Sequence, residues 1–219
     1  MMSAVENVLL PTHYSLLPHF MAIIKHDDQR VGFFIDTQNL YHSAKNLYDD
    51  ARVNFGAMVK DAVAGRKLVR ALAYVISTKT GEESSFFDAL GKIGIETRVK
   101  ELQEFWGGAK KGDWDVGMAV DAIRLAPKLD TVILATGDGD FIPLVEYLQN
   151  QGCQVEVVSF GKSTSGKLKE AADDFFDLSD NPGAYLLGHR ERRSSTPRQA
   201  SAAPKQRPER GGTRRAVSL

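Results

Sequence analysis

The sequence predicts an α/β fold, a three-layer sandwich with a central, mostly parallel sheet. Three observations predict it. Short apolar segments rich in β-branched and aromatic residues alternate with helical patterns from about Arg30 to Asp180. Two of them, Val31-Gly-Phe-Phe-Ile35 and Thr131-Val-Ile-Leu-Ala135, stay apolar at every position or nearly so, as strands buried on both faces of a parallel sheet must. Both then break into acid: Asp36 after the first, Thr136-Gly-Asp-Gly-Asp140 after the second. The carboxyl edge of such a sheet is where open α/β folds hold their ligands.

The elements follow in order. A strand over 31–36 leads into a helix over 39–48. Asn54 can cap a second helix at 55–64. A strand at 68–77, a helix at 82–92 and a strand at 94–100 come next. Asp113 is placed to cap a helix over 114–126. The strand at 131–136 runs through the two-glycine turn into a helix at 141–151. There Asp140 is expected to cap and Pro143 to sit in the first turn, where its missing N–H costs nothing. Gly152 is a natural stop. A strand at 153–160, a helix at 166–172 and a short strand at 175–178 complete the pattern. Phe86, Phe87, Phe175 and Phe176 read as core. Right-handed crossovers then bring every strand's carboxyl end to one edge.

At 219 residues the chain suits one substantial domain with trimmings. Residues 1–29 read as an N-terminal lead-in, 30–180 as the folded domain and 181–219 as a disordered basic tail. That tail turns to Pro, Gly, Ser and Arg, too poor in large apolar residues to offset chain entropy. Its charge is one-sided. Pro182 to Leu219 holds nine Lys or Arg against two acids, so the neutral whole divides into a basic arm of +7 and an acidic body of −7. One cysteine, Cys153, excludes a disulfide framework and a cysteine zinc site, and its place in an apolar run suits a small buried hydrophobe. The five histidines lack metal-ligand spacing. With no apolar run of about 20 residues and no basic leader, no membrane span is expected and a cytoplasmic location is the default.

The chemistry is carried by carboxylates. Asp36 ends the first strand, with Asn39 three residues on. Asp138 and Asp140 flank Gly139 in a turn whose glycines let the backbone approach a ligand. Asp115 lies in the first turn of the 114–126 helix. Asp121 lies six residues on, about 120° round and ~9 Å along the axis, so Asp115 is the better ligand and Asp121 an edge residue. Lys111, just before that helix, offers a point charge to a phosphate. Carboxylates gathered this closely raise one another's pKa unless a cation neutralises them. Oxygen-only ligands favour Mg²⁺ or Mn²⁺ over zinc. Such an ion can activate water and stabilise the leaving oxygen of a phosphodiester.

Three motifs, Phe33-Phe-Ile-Asp-Thr-Gln-Asn-Leu-Tyr41, Lys111-Gly-Asp-Trp-Asp-Val-Gly-Met-Ala-Val-Asp-Ala122 and Thr136-Gly-Asp-Gly-Asp-Phe141, in this order resemble an NYN domain of the LabA-like type, within the PIN-like nuclease superfamily. The resemblance spans roughly residues 30 to 180. It implies a PIN-like sandwich with a Mg²⁺ or Mn²⁺ site acting on RNA, single-stranded RNA being the expected partner. Carried over by position, Asp36, Asp115, Asp138 and Asp140 match the family's acidic site residues, Asn39 its strand-end Asn and Asp121 a second helix acid. The extra Asp113-Trp114 pair leaves open which of Asp113 and Asp115 faces the metal.

The resulting expectation is a metal-dependent ribonuclease. Asp36, Asp115, Asp138 and Asp140 hold the ion, Asn39 and Thr136 position water or phosphate, and Lys111 and the tail draw the strand in. One alternative is a non-catalytic RNA- or protein-binding regulator on the same fold, and another is a domain phosphorylated on Asp36. Whether two copies form a homodimer is left open. Trp106 and Trp114 are base-stacking candidates. Gly161-Lys-Ser-Thr-Ser-Gly-Lys167 fits seven positions of a P-loop, but Leu168 replaces the Ser or Thr that holds Mg²⁺. Its Lys162, Ser163, Ser165 and Lys167 are better read as RNA-phosphate contacts at the rim of the site.

Overall fold

The computed structural model describes residues 23–77, 84–101, 103–104, 110–111 and 113–188. Residues 1–22 and the predicted tail from 189 onward lie outside these residues. The boundaries set at 29 and 181 fall within them, and Pro182–Leu187, read from the sequence as the start of the tail, is folded, with Tyr185 and Leu186 buried in the core. Among the described helices none is long and apolar enough to cross a membrane.

Six strands form one sheet in which every pairing is parallel. They are β1 (Arg30–Asp36), β3 (Lys67–Ser77), β4 (Glu96–Glu101), β7 (Thr131–Ala135), β8 (Gln154–Ser159) and β9 (Asp174–Asp177), in the order β4-β3-β1-β7-β8-β9. The chain thus builds outward from β1 to one edge, returns, and builds from β7 to the other. β1 and β7 meet at the point where the winding reverses, with Ile35 opposite Ala135. At such a switch point the two outgoing connections leave to opposite faces and open a crevice.

Strand alternation divides the core in two. Val31, Phe33 and Ile35 of β1 face one layer with Leu40 and Ala44 of α1 (Thr37–Leu47), Met58 and Ala62 of α2 (Phe55–Val63) and Leu90 of α3 (Ser84–Lys92). Phe34 faces the other, with Met118 and Ala122 of α4 (Asp115–Leu125), Leu144 and Leu148 of α5 (Ile142–Asn150) and Leu168 of α6 (Gly166–Ala171). This is the predicted α/β sandwich, its sheet wholly parallel. Gly32 is needed inside β1 because a Cβ there would meet Leu129 Cδ1 at 2.4 Å.

Several local expectations hold. Asn54 caps α2, its side chain accepting from Ala57 N at 3.2 Å. Gly152 ends α5 at φ +87°. Cys153 is buried, and the four phenylalanines pack on the two cores. Others are corrected. Asp113 does not occupy the cap position of α4; Trp114 does, without a side-chain capping bond. Asp140 does not cap α5. A 3₁₀ turn at Gly139–Phe141 precedes the helix, and its cap is Asp138, whose Oδ1 accepts from Asp140 N at 3.0 Å. Two short antiparallel ribbons also went unpredicted: β2 (Arg52–Val53) with β10 (Leu186–Leu187), which follows a short α7 (Pro182–Tyr185), and β5 (Gln103–Glu104) with β6 (Lys110–Lys111).

Candidate functional site

Asp36 is fixed from two sides. Its Oδ1 accepts from Asn39 N at 3.0 Å, capping α1, and its Oδ2 accepts from Thr136 Oγ1 at 3.2 Å across the β1–β7 boundary. The fully buried Thr136 hydroxyl also accepts from Asp138 N at 3.2 Å. Asn39 Oδ1 accepts from Gly137 N at 2.8 Å. These bonds join the first turn of α1 to the glycine turn after β7. The pairing of Asp36 with Asn39 and the Thr-Gly-Asp-Gly-Asp run therefore form one unit, which their separation in sequence does not reveal.

α4 delivers the remaining acids. Trp114 Nε1 donates to Val75 O at 2.9 Å, and its ring tilts against Tyr74 at 5.6 Å. Gly117 makes this possible, since a Cβ there would stand 2.5 Å from the indole. Lys100 Nζ lies 5.7 Å over the same ring and donates to Asp113 O at 3.1 Å. Trp114 thus pins the start of α4, a packing role rather than the exposed platform that base stacking requires. Trp106 lies outside the described residues. Lys111 has its backbone in β6 and its side chain is outside them too.

These elements enclose a cleft of about 200 Å³ at the carboxyl edge of the sheet. Asp36, Asp113, Asp115 and Asp138 line it, with Gln38, Asn39, Tyr74 and Trp114. Gln38 and Tyr74 were missed by sequence reasoning. The signal for Tyr74 was its place near the end of β3, on the side facing α4.

Three expected site residues stand apart from the cleft. Asp121 accepts from Tyr74 Oη at 3.1 Å and pairs with Arg98 at 3.6 Å, so its charge is already answered and it steadies the wall rather than meeting substrate. Thr136 is buried beneath the carboxylates, its hydroxyl engaged twice, and orients them instead of reaching a ligand. Asp140 is exposed beyond the lining residues, its backbone held in the 3₁₀ turn.

The electrostatics are strained. Burial pushes the Asp36 carboxyl above the usual carboxylate range, with Asp138 adding to the shift and the bonds from Asn39 and Thr136 opposing it. Asp115 is also raised, by burial first and then by Asp36, Asp113, Asp138 and Asp140. Tyr74 is raised by burial and by Asp121, and stays a neutral donor. Among the described residues no three His, Cys, Asp or Glu side chains are grouped closely enough to hold a metal ion as they stand. A closed carboxylate cage is therefore not preformed. The donor chemistry nevertheless fits a hard divalent cation, because the lining acids offer oxygen alone and repel one another without one.

The chain is similar to known proteins. The chain is 27% identical over 161 residues to low amplitude and bright protein LabA of Synechococcus elongatus, covering 69% of this chain and 84% of that protein. It is 26% identical over 148 residues to an uncharacterized protein of Methanocaldococcus jannaschii, covering 67% of this chain but 54% of that one. A crystal structure of a protein of unknown function from Vibrio parahaemolyticus matches with a TM-score of 0.67 at 32% identity, over 75% of this chain and 100% of that one. The NYN domain model matches residues 30–179, the whole six-stranded sheet and the cleft with it. The chain belongs to the NYN domain family, on a PIN-like nuclease fold.

Proposed function

We propose that the chain is a metal-dependent ribonuclease that hydrolyses RNA phosphodiesters in the acidic cleft. The observation that carries this reading is the convergence of Asp36, Asp115 and Asp138 at the β1–β7 switch point. Two of these acids have raised pKa values, Asp36 chiefly through burial and Asp115 through burial and its neighbours. Holding such groups together without a counter-ion costs stability, and functional sites are where proteins retain that cost.

Asp36, Asp115 and Asp138 would hold Mg²⁺ or Mn²⁺, with Asp140 at the rim. When bound, such an ion would supply neutralisation of the acids, activation of water and stabilisation of the leaving oxygen of the phosphodiester. The chain's own residues supply positioning. Thr136 and Asn39 fix the rotamer of Asp36 and the path of the glycine turn, so the acids approach substrate from set directions. Trp114 and Tyr74 form a wall on one side of the cleft beside Asp115. Lys111 and the basic arm would raise the local concentration of RNA.

A non-catalytic RNA- or protein-binding regulator is the second reading. It is favoured by the lack, among the described residues, of a ready three-ligand cluster. Labelled single-stranded RNA incubated with Mn²⁺, Mg²⁺ or EDTA separates the two. Metal-dependent cleavage by the chain, lost in an Asp36→Asn, Asp138→Asn double variant, supports the ribonuclease. Equal cleavage by the variant removes this site from the account. RNA binding without cleavage in any metal selects the regulator.

A further inference from the structure

The segment Gly161-Lys-Ser-Thr-Ser-Gly-Lys167 has no part in the cleft described above, yet it is built into its flank. It is not a nucleotide loop. Leu168, which stands where a P-loop needs Ser or Thr, is fully buried in the core beside α5. The loop is instead locked to the turn that carries Asp138. Ser165 N donates to Gly137 O at 2.9 Å. A Cβ on Gly137 would meet Ser163 O and Thr164 Cα at 3.1 Å, and one on Gly139 would meet Ser165 Oγ at 2.9 Å.

The far side of the loop is equally held. Gly161 N donates to Asp177 Oδ1 at 2.8 Å, Thr164 Oγ1 to Phe160 O at 2.8 Å and Ser163 Oγ to Ser43 Oγ at 2.8 Å. A loop so tied loses little further entropy when it meets a ligand. Of its neighbouring cations, Lys169 is already engaged, with Nζ donating to Gly161 O and standing 4.9 Å over the Phe175 ring. Lys162 and Lys167 are exposed, and neither pairs with a described carboxylate. Because β8 lies next to β7, and because Ser163–Ser165 pack on Gly137 and Gly139, the loop that carries these two charges flanks the turn of Asp138 on its β8 side. On the β3 side the cleft is bounded by the Trp114–Tyr74 wall and Asp113.

We propose that Lys162 and Lys167 form a phosphate-binding rim for the RNA strand, taking backbone phosphates that flank the one held in the cleft. The strand then runs from the cleft over the Gly137–Asp140 turn toward β8, and binding is one-sided. An acidic pocket repels a polyanion, so a fixed pair of cations beside it supplies the attraction that the cleft itself lacks. The inference rests on the ribonuclease reading for what lies in the cleft, but RNA binding by the rim is measured apart from cleavage.

The test uses the full chain carrying Asp36→Asn and Asp138→Asn, so that RNA stays intact, with and without Lys162→Gln and Lys167→Gln. Binding of a fluorescent single-stranded 12-mer is followed by anisotropy across a salt series. Each lost phosphate contact lowers the slope of log K against log salt by about 0.7 for a single strand. The double lysine change is therefore expected to flatten it by about 1.4, with an unchanged melting temperature. In the otherwise native chain the same two changes raise KM for RNA and leave kcat in place. An unchanged slope and KM overturn the proposal while leaving any metal-dependent cleavage to stand. Saturable binding of a nucleoside triphosphate that the lysine changes abolish overturns it in favour of a nucleotide site. If the native chain binds RNA but never cuts it, the ribonuclease reading fails and the slope still decides the rim.

Discussion

Thr136 donates to Asp36 across the seam between β1 and β7, Oγ1 to Oδ2 at 3.2 Å. The same hydroxyl accepts from Asp138 N. One buried side chain thus sets the positions of two acids that arrive on separate strands. It lies at the switch point of the sheet, where the ligand crevice must open.

Thr136→Val removes both bonds while keeping the shape. The lost donor lets the Asp36 carboxyl rise further, and Asp138 N loses its partner. A cost of about 1–3 kcal/mol is expected where a buried polar group goes unpaired, and cleavage in Mn²⁺ should fall about tenfold or more. Thr136→Ser should restore most of it. Paired melting curves and initial rates check this.

The raised acids make a signed prediction about stability. A carboxyl whose folded pKa lies above its ordinary 3.8 contributes stability that is fully present below that value and is lost as pH rises through the folded pKa. At neutral pH, Asp36 and Asp115 therefore burden the metal-free fold. Asp115→Asn should melt in EDTA at pH 7 at the same temperature as the native chain or higher, with the gain vanishing near pH 3. A drop of several degrees at pH 7 would show Asp115 to be structural.

Gly117→Ala places a methyl carbon within 2.5 Å of the Trp114 ring. The indole must move, and its bond to Val75 O goes with it. Overpacking of this kind costs about 1–3 kcal/mol. Because Trp114 pins α4, Asp115 shifts as well, so cleavage should fall more than stability does. A red-shifted tryptophan emission beside a reduced rate is the expected pair of readouts.

A buried ion pair far from the cleft gives a contrasting prediction. Arg66 and Glu156 face each other with side chains 0% and 3% exposed, Nη2 donating to Oε2 at 2.9 Å. Glu156→Gln leaves the guanidinium without its counter-charge and should cost about 3–5 kcal/mol. Measured well below the lowered melting point, its metal binding should match that of the native chain.

The sheet was legible in the sequence because strands buried on both faces cannot alternate, and β1 and β7 read as nearly unbroken apolar runs. The acids at their ends were legible for the same reason: an apolar run that stops in Asp marks the edge. What escaped depends on contacts between distant segments. Two-residue ribbons such as β2 with β10 carry no periodicity. The pairing of Arg66 with Glu156 spans 90 positions, and that of Tyr74 with Asp121 spans 47. The exchange of roles between Asp138 and Asp140 had a local cause. Either spacing could cap a helix, and only the intervening 3₁₀ turn at Gly139–Phe141 decides for Asp138.

The central claim is that the carboxylates of Asp36, Asp115 and Asp138 act as one divalent-cation site, and calorimetric titration with Mn²⁺ tests it most directly. The native chain should bind Mn²⁺ saturably at pH 7. Asp36→Asn and Asp115→Asn should each weaken that binding at least tenfold, about 1.4 kcal/mol, and Asp140→Asn should weaken it less. Equal Mn²⁺ affinity in the native chain and in both of the first two variants would contradict the account.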